Sequence, residues 1–596
     1  MARLPVVDGD EDNWGSILRE FLLVEHDTDG TLKRLNQASG ICPLDSNSLV
    51  PSANLGLKGA YSAIVYIDGS SVIARDYKGD LIASGTAGTD DRSVLQSAID
   101  YAKTTASDPW WTYHYGIVKN LANLNVSSTV LLKDQVILEG GSITASGSMS
   151  YLVTTEHYED FLTDPTYTNT TYMCGLRDIF LNGNDNVTDT VLGLAAGFSH
   201  FDKLYVSGGT CNPDTCSNSA TGIVVKGASG NAPNPKRFFG VNYFGFVKVE
   251  GLKKGMICEA GDNIIDNLIV AWCSDVGLWI KKLITIKYAH VWGCTASLLS
   301  SCTDCKGYGV YITDDGGFKG RGKIESETND YGLVLGSLSS SHKPIQAELL
   351  FYGNNTKDIY TEEDQHGLFF LISSRPAADI DIGLDSDWNE FIFQAFYGDG
   401  TQDINITGSG CRVQGTIVNC NSVKIGPRAQ GSLRCRYVDD LTIVGGYNQL
   451  DIKTESETNV NLGESGNSIS NSAIRLHGWL TSTESVTFVS DGGYNTVTIE
   501  TQAASVDLTG RASTTRLKGW TSGTKFENEG SATIASGNTS VTVNHGLDST
   551  PSNIQVTGAH SDVKDAYVTN VGATSFDINV GSAVSADRTV YWKAKV

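Results

Sequence analysis

A short phrase returns through the middle of this chain and restricts it to a repeating fold. A glycine followed by mainly apolar residues occurs as Gly222-Ile223-Val224-Val225, Gly255-Met256-Ile257-Cys258 and Gly277-Leu278-Trp279-Ile280. It comes back as Gly309-Val310-Tyr311-Ile312, Gly332-Leu333-Val334-Leu335 and Gly367-Leu368-Phe369-Phe370. Subtracting successive glycine positions gives gaps of 33, 22, 32, 23 and 35. Two classes of spacing point to a coil of about 22 residues that sometimes carries an inserted loop, within the roughly 20–50-residue range of solenoids and arrays.

Each phrase is short, rich in β-branched or aromatic residues, and bounded by Gly, Asn and Asp, which is strand-and-turn chemistry. No helical period lies between the phrases, and no Leu-x-x-Leu-x-Leu frame is present. The fold class read from this pattern is all-β: a right-handed parallel β-helix whose coils bury their apolar residues in a shared interior. An echo of Ile324-Glu325-Ser326-Glu327-Thr328-Asn329 in Thr454-Glu455-Ser456-Glu457-Thr458-Asn459 supports stacking. A chain of 596 residues exceeds one ordinary globular core but not a solenoid, whose core grows with length. Coils averaging about 25 residues would give about 15 turns and a length of roughly 70 Å at the usual strand spacing.

Bulk properties exclude several functions. The formal net charge of −23 argues against nucleic acid and anionic membrane surfaces as partners. No apolar run reaches the roughly 18–20 residues of a membrane span. The start, Met1 to Asp10, lacks the apolar core of a secretory signal, so an extracellular role implies another exit route. Cys302-x-x-Cys305, with Cys294 upstream, lacks the second close pair of a zinc site, and no metal or cofactor is expected. Cys258, Cys273 and Cys411 read as small core residues, whereas Cys211 and Cys216 flank a turn suited to a local disulfide.

Taken in order, the chain divides into five parts. Residues 1–45 form an N-terminal attachment segment with a short amphipathic helix (Trp14, Ile17, Leu18, Phe21, Leu22 on one stripe). The Asp8, Asp10, Asp12 spacing is not a calcium loop, since Asn13 replaces the required glycine. Residues 50–84 alternate as a small β-unit, and 85–128 hold a cap whose helix carries Val94, Leu95, Ala98, Ile99 and Ala102 on one face. The β-helix proper occupies 129–520. Residues 526–596 show six alternating strands, a small β-sandwich.

This order resembles viral tail fibres and tailspikes. Pro5-Val6-Val7-Asp8-Gly9-Asp10, Trp14-Gly15, Phe21 to Val24 and Asp29 to Lys33 resemble N-terminal segments of tail-associated proteins from viruses of bacteria and archaea. Ala87-Gly88-Thr89-Asp90-Asp91 with Ile99-Asp100 resembles the cap of pectate-lyase-like β-helix proteins. Val541 to Leu547, with Pro551, resembles small β-domains at tail-fibre tips. The resemblance implies a homotrimer in the virion tail, joined to other tail proteins through its N-terminus and acting outside the cell on a surface polysaccharide or glycoprotein of the host.

Such proteins often cleave the glycan with two carboxylates, about 5–5.5 Å apart for retention and about 6.5–9.5 Å for inversion. Glu325 and Glu327 are two residues apart on one strand face, roughly 6.5–7 Å along the chain, and qualify as a pair. Their echo at Glu455 and Glu457 equally suits an exposed coil face. The preferred catalytic set is Asp385, Asp387 and Glu390 beside Trp388, an aromatic that stacks on a sugar ring; the alternative is a polar turn with Trp388 in the core. Asp314, Asp315 and Arg321 suggest a lateral substrate subsite. Trp272, Trp279 and Trp292 are expected in the core. The reading is a glycan-binding tail fibre or tailspike, with a polysaccharide depolymerase as one alternative and a secreted β-helix adhesin or lyase as another.

Overall fold

The computed structural model describes residues 61–106, 115–164, 171–209, 218–227, 241–338, 345–363, 368–375, 378–382, 389–455, 458–479, 485–500, 505–512, 514–521 and 524–596. Thirty-seven strands join one hydrogen-bonded system, parallel throughout except for its opening strands and its last turn. The result is a β-solenoid of about 15 turns, the number the repeat length implied.

Each coil lays short strands on stacked faces. A first face runs from Ala63–Asp68 through Gly116–Asn120 and Val136–Glu139 and ends at Gly317–Phe318. A second face runs from Asn123–Val126 to Arg516–Thr521, and a third from Val130–Leu132 to Ser505–Asp507. Because Ala63–Asp68 pairs in parallel with Gly116–Asn120, the stack begins inside the 50–84 stretch that the sequence set apart. The same strand is also the first arm of a hairpin with Ser71–Asp76, and its alternating pattern suits either neighbour. Residues 1–45, with their amphipathic helix, lie outside the described residues, as do Cys211 and Cys216.

Five copies of the glycine phrase sit on consecutive rungs of the third face. Ile223, Met256, Leu278, Val310 and Leu333 are register partners in turn, and all are buried. The glycines form a column beside them for a steric reason. A methyl group on Gly222 would sit 2.6 Å from the carbonyl oxygen of Gly255. On Gly277 it would sit 2.7 Å from Gly309 O, and on Gly309 it would sit 2.8 Å from Gly332 O. Any side chain there would push the coils apart. The sixth phrase does not continue the column: Leu368–Ser374 belongs to the second face, and Asp358-Ile359 takes the next rung of the third. The spacing classes also have a cause, since the coil from Gly277 to Gly309 carries an insert with a 3-10 turn (Ala296–Leu298) and a Cys302–Cys305 disulfide.

Buried turns need other partners, because their inward N–H groups face no neighbouring strand. Side chains stack to supply them. Ser199 Oγ accepts from Cys174 N, Asn242 Oδ1 accepts from Ser199 N, and Asn242 Nδ2 donates to Asn263. Asn329 and Asn354 serve Cys294 N and Asn329 N at a second turn; Asn448, Ser472 and Asn495 serve Ala429, Asn448 and Ser472 at a third. Asp358 closes the Asn329–Asn354 ladder, accepting from Asn354 Nδ2 at 2.8 Å, Ser374 Oγ at 2.6 Å and Ala378 N at 3.0 Å. Burial pushes its carboxyl up to about 7.

At the N-terminal end, helix α1 (Asp91–Thr105) buries Val94, Leu95, Ala98, Ile99 and Ala102 against the first coil. Its Gln96 side chain bonds both the N–H and the C=O of Leu131, occupying an otherwise open strand edge. At the other end, Glu527–Ile534, Arg588–Lys595 and Asn553–Gly558 form one antiparallel sheet. Ser540–Asn544, Ser575–Asn579 and Tyr567–Thr569 form another, and both share a core around Phe576, Ile578, Val590 and Trp592.

Two outcomes are expected. Gly277→Ala should cost about 1–3 kcal/mol through overpacking, read as a shorter unfolding half-life on heating. Asp358 keeps a proton in the fold that the unfolded chain releases above about pH 4, so its stabilisation is lost as pH rises from about 4 to about 7. Asp358→Asn should flatten that part of a stability–pH profile; an unchanged slope would show that another group sets it.

Candidate functional site

Alternation places every second residue of a coil strand in solvent, and two outward faces carry chemistry. On the strand Arg321–Glu327, Gly322, Ile324 and Ser326 are buried while Lys323, Glu325 and Glu327 point out. Each glutamate is held by a residue from the coil before it. The Tyr288 hydroxyl donates to Glu325 Oε2, and His290 Nε2 lies 3.2 Å from Glu327 Oε2. Trp292 is the register partner of Glu327 and meets Trp272 edge to face at 4.8 Å. Tyr352, the next partner of Glu327, is exposed. Carboxylates, an imidazole, a phenol and two indoles therefore line one stretch of the second face.

Further along this face, outward residues form the column Arg321, Gln346, Phe369, Glu390 and Arg412. Arg321 stacks over the Phe369 ring at 5.1 Å, and Glu390 lies 3.5 Å from Arg412. Three rung spacings, roughly 14 Å, separate Glu390 from the rung of Glu325 and Glu327. Asp385, Asp387 and Trp388 fall outside the described residues. Of their neighbours, Asp381 pairs with Lys357 and Asp379 accepts from Asp403 N at 2.9 Å. Asp314 and Asp315 end a strand of the third face, where Asp315 pairs with Lys282 at 2.6 Å. Arg321 starts a strand of the second face, so the structure does not gather these three residues into one group.

The third face holds what the sequence reading passed over. Trp279, Tyr311, Tyr331 and Tyr360 are half-exposed on its outer side around the more deeply set Tyr308. Adjacent rings lie 5.3 to 5.8 Å apart. The Glu362 carboxylate accepts from Tyr308 OH at 2.7 Å and Tyr311 OH at 2.8 Å. Burial first, and Glu362 second, raise both phenols well above their ordinary range. Lys281 and Lys254 stand over the Trp279 ring at 4.2 and 5.0 Å, and Lys357 over Tyr360 at 4.7 Å. Trp272, Trp279 and Trp292 are thus surface residues and not core: their coils turn them outward while smaller neighbours fill the interior. The signal was available, because aligning the glycine phrases sets Trp279 under Tyr311 and Tyr308 under Tyr331.

Among the described residues, Cys302, Asp304 and Cys305 are the one group close enough to share a cation, and the two thiols are joined as a disulfide. No described helix is long and apolar enough to cross a membrane.

No family model and no curated protein matches this chain. Among solved structures, the tailspike of E. coli bacteriophage HK620 in complex with a pentasaccharide aligns over 88% of this chain and 92% of its own, at 11% identity and a TM-score of 0.31. The tailspike gp49 of Acinetobacter baumannii bacteriophage Fri1, a capsular polysaccharide depolymerase, aligns over 84% of this chain and 82% of its own (8% identity, TM-score 0.19). Tailspike protein 2 of bacteriophage CBA120 aligns over 84% and 70% (11% identity, TM-score 0.20). At these scores the likeness carries no argument about residues or activity.

Replacing Glu362 by Gln should lower the pH at which Tyr308 and Tyr311 ionise, read as an earlier rise of phenolate absorbance on alkaline titration. An unchanged titration would mean that burial alone holds both phenols.

Proposed function

We propose that this chain is a tail fibre or tailspike of a virus of bacteria or archaea, a homotrimer that binds a host surface glycan along the outer faces of its solenoid. The supporting observation is the third face, where half-exposed aromatic rings surround a carboxylate and lysines. Sugar rings present an apolar C–H side to Trp and Tyr, and hydroxyls to charged groups that orient them. The setting in a virion tail rests on the terminal segments, Pro5 to Lys33 and Val541 to Pro551, that resemble tail proteins; the first of these is the proposed attachment to other tail proteins.

A second reading, cleavage of the bound glycan, is favoured by Glu325 and Glu327. Their strand spacing suits an inverting pair, and His290 and Tyr288 stand within proton-transfer reach of the two carboxylates.

Both readings are tested on the full-length protein with envelope glycans from candidate hosts. Trp279→Ala should weaken binding about tenfold, the scale of one lost ring contact. Glu327→Gln should keep binding and abolish any release of reducing ends. Failure to bind every glycan tried, or binding unaffected by the Trp279 change, would contradict the assignment of this face.

A further inference from the structure

Charge is sorted between two faces over the C-terminal half of the solenoid. The second face from Arg412 onward points Arg412, Arg434, Arg436, Lys453, Arg475 and Lys518 outward. Its acids are already engaged: Glu455 by Arg434 at 2.7 Å and Lys453 at 2.8 Å, Glu500 by Arg475 at 2.7 Å, and Asp451 by His477 at 3.1 Å. Cationic charge is left over on this face, in a chain whose net charge is −23. The third face over the same coils points Asp379, Asp381, Asp403, Asp440 and Asp507 outward. Lys424 is the single cation among its described outward residues there, and it is engaged by Glu464 at 2.7 Å.

The two faces are at matching heights, because each coil contributes one strand to each. Arg434, Arg436 and Asp440 even share the strand Gln430–Ile443, with Asp439 exposed beside Asp440. We infer that the occupant of the basic face is a second copy of this chain, presenting its acidic face. Copies related by a rotation axis parallel to the solenoid meet second face to third face with no axial shift, so every coil finds its complement. The contact is heterologous, and rotation closes it into a ring. This deepens the proposed trimer by naming its surfaces. It also sets the Glu325–Glu327 stretch of one copy opposite the aromatic third face of the next, since those too lie on the same coils.

The test uses full-length protein in light scattering at low and high salt, with circular dichroism to confirm folding. Arg434→Glu with Arg436→Glu should weaken assembly roughly tenfold or more, as should Asp439→Lys with Asp440→Lys, because each sets like charges face to face. Combining all four restores opposite signs and should restore the ring. Rings indifferent to both reversals, or no rescue in the combined variant, overturn the inference while leaving a trimer standing. A wild-type monomer at every concentration overturns both the inference and the trimeric reading. Rings unchanged in Arg434→Glu, Arg436→Glu protein that has lost binding to polygalacturonate would overturn it in favour of an anionic glycan as the occupant.

Discussion

The close approach of successive coils is the constraint on which this molecule depends. Parallel strands stack without insertion only where nothing projects between them, and the column Gly222, Gly255, Gly277, Gly309, Gly332 marks that contact. The same approach leaves turn amides stranded inside, and the asparagine and serine ladders answer that need. Packing and hydrogen bonding thus enforce one register, so that a residue's place on the outer face follows from its offset to the glycine.

Function follows from that register. A side chain two positions beyond the glycine is carried outward on every coil, which gathers Trp279 and Tyr311 on one surface although 32 residues separate the two glycine phrases. The second face gathers Tyr288 with Glu325 and His290 with Glu327 in the same way. A solenoid of this kind builds extended, linear surfaces in place of a deep pocket, which suits a polymer as ligand.

Much of this was legible in the sequence. The repeated phrase revealed the solenoid, its coil length and its inserts, and the alternating segments after residue 526 are the strands of the two terminal sheets. The grouping of site residues was less legible. Glu362 meets Tyr308 across 54 positions and Glu325 meets Tyr288 across 37, with the 293–307 insert or other coils between them. Proximity in sequence favoured Asp314, Asp315 and Arg321 instead, which the turns send to different faces. The tryptophans misled because an apolar phrase suggests burial, whereas alternation turns every second member outward.

The central claim is that glycan lies along the outer second and third faces between Trp272 and Glu362. Its most direct test is a structure of the full-length assembly with an oligosaccharide prepared from a host surface that the protein adsorbs. The account predicts sugar density against Trp279, Tyr311 and Tyr331 or against Trp292, Glu325 and Glu327. Sugar bound solely to the C-terminal sheets, with both of these faces bare, would contradict it.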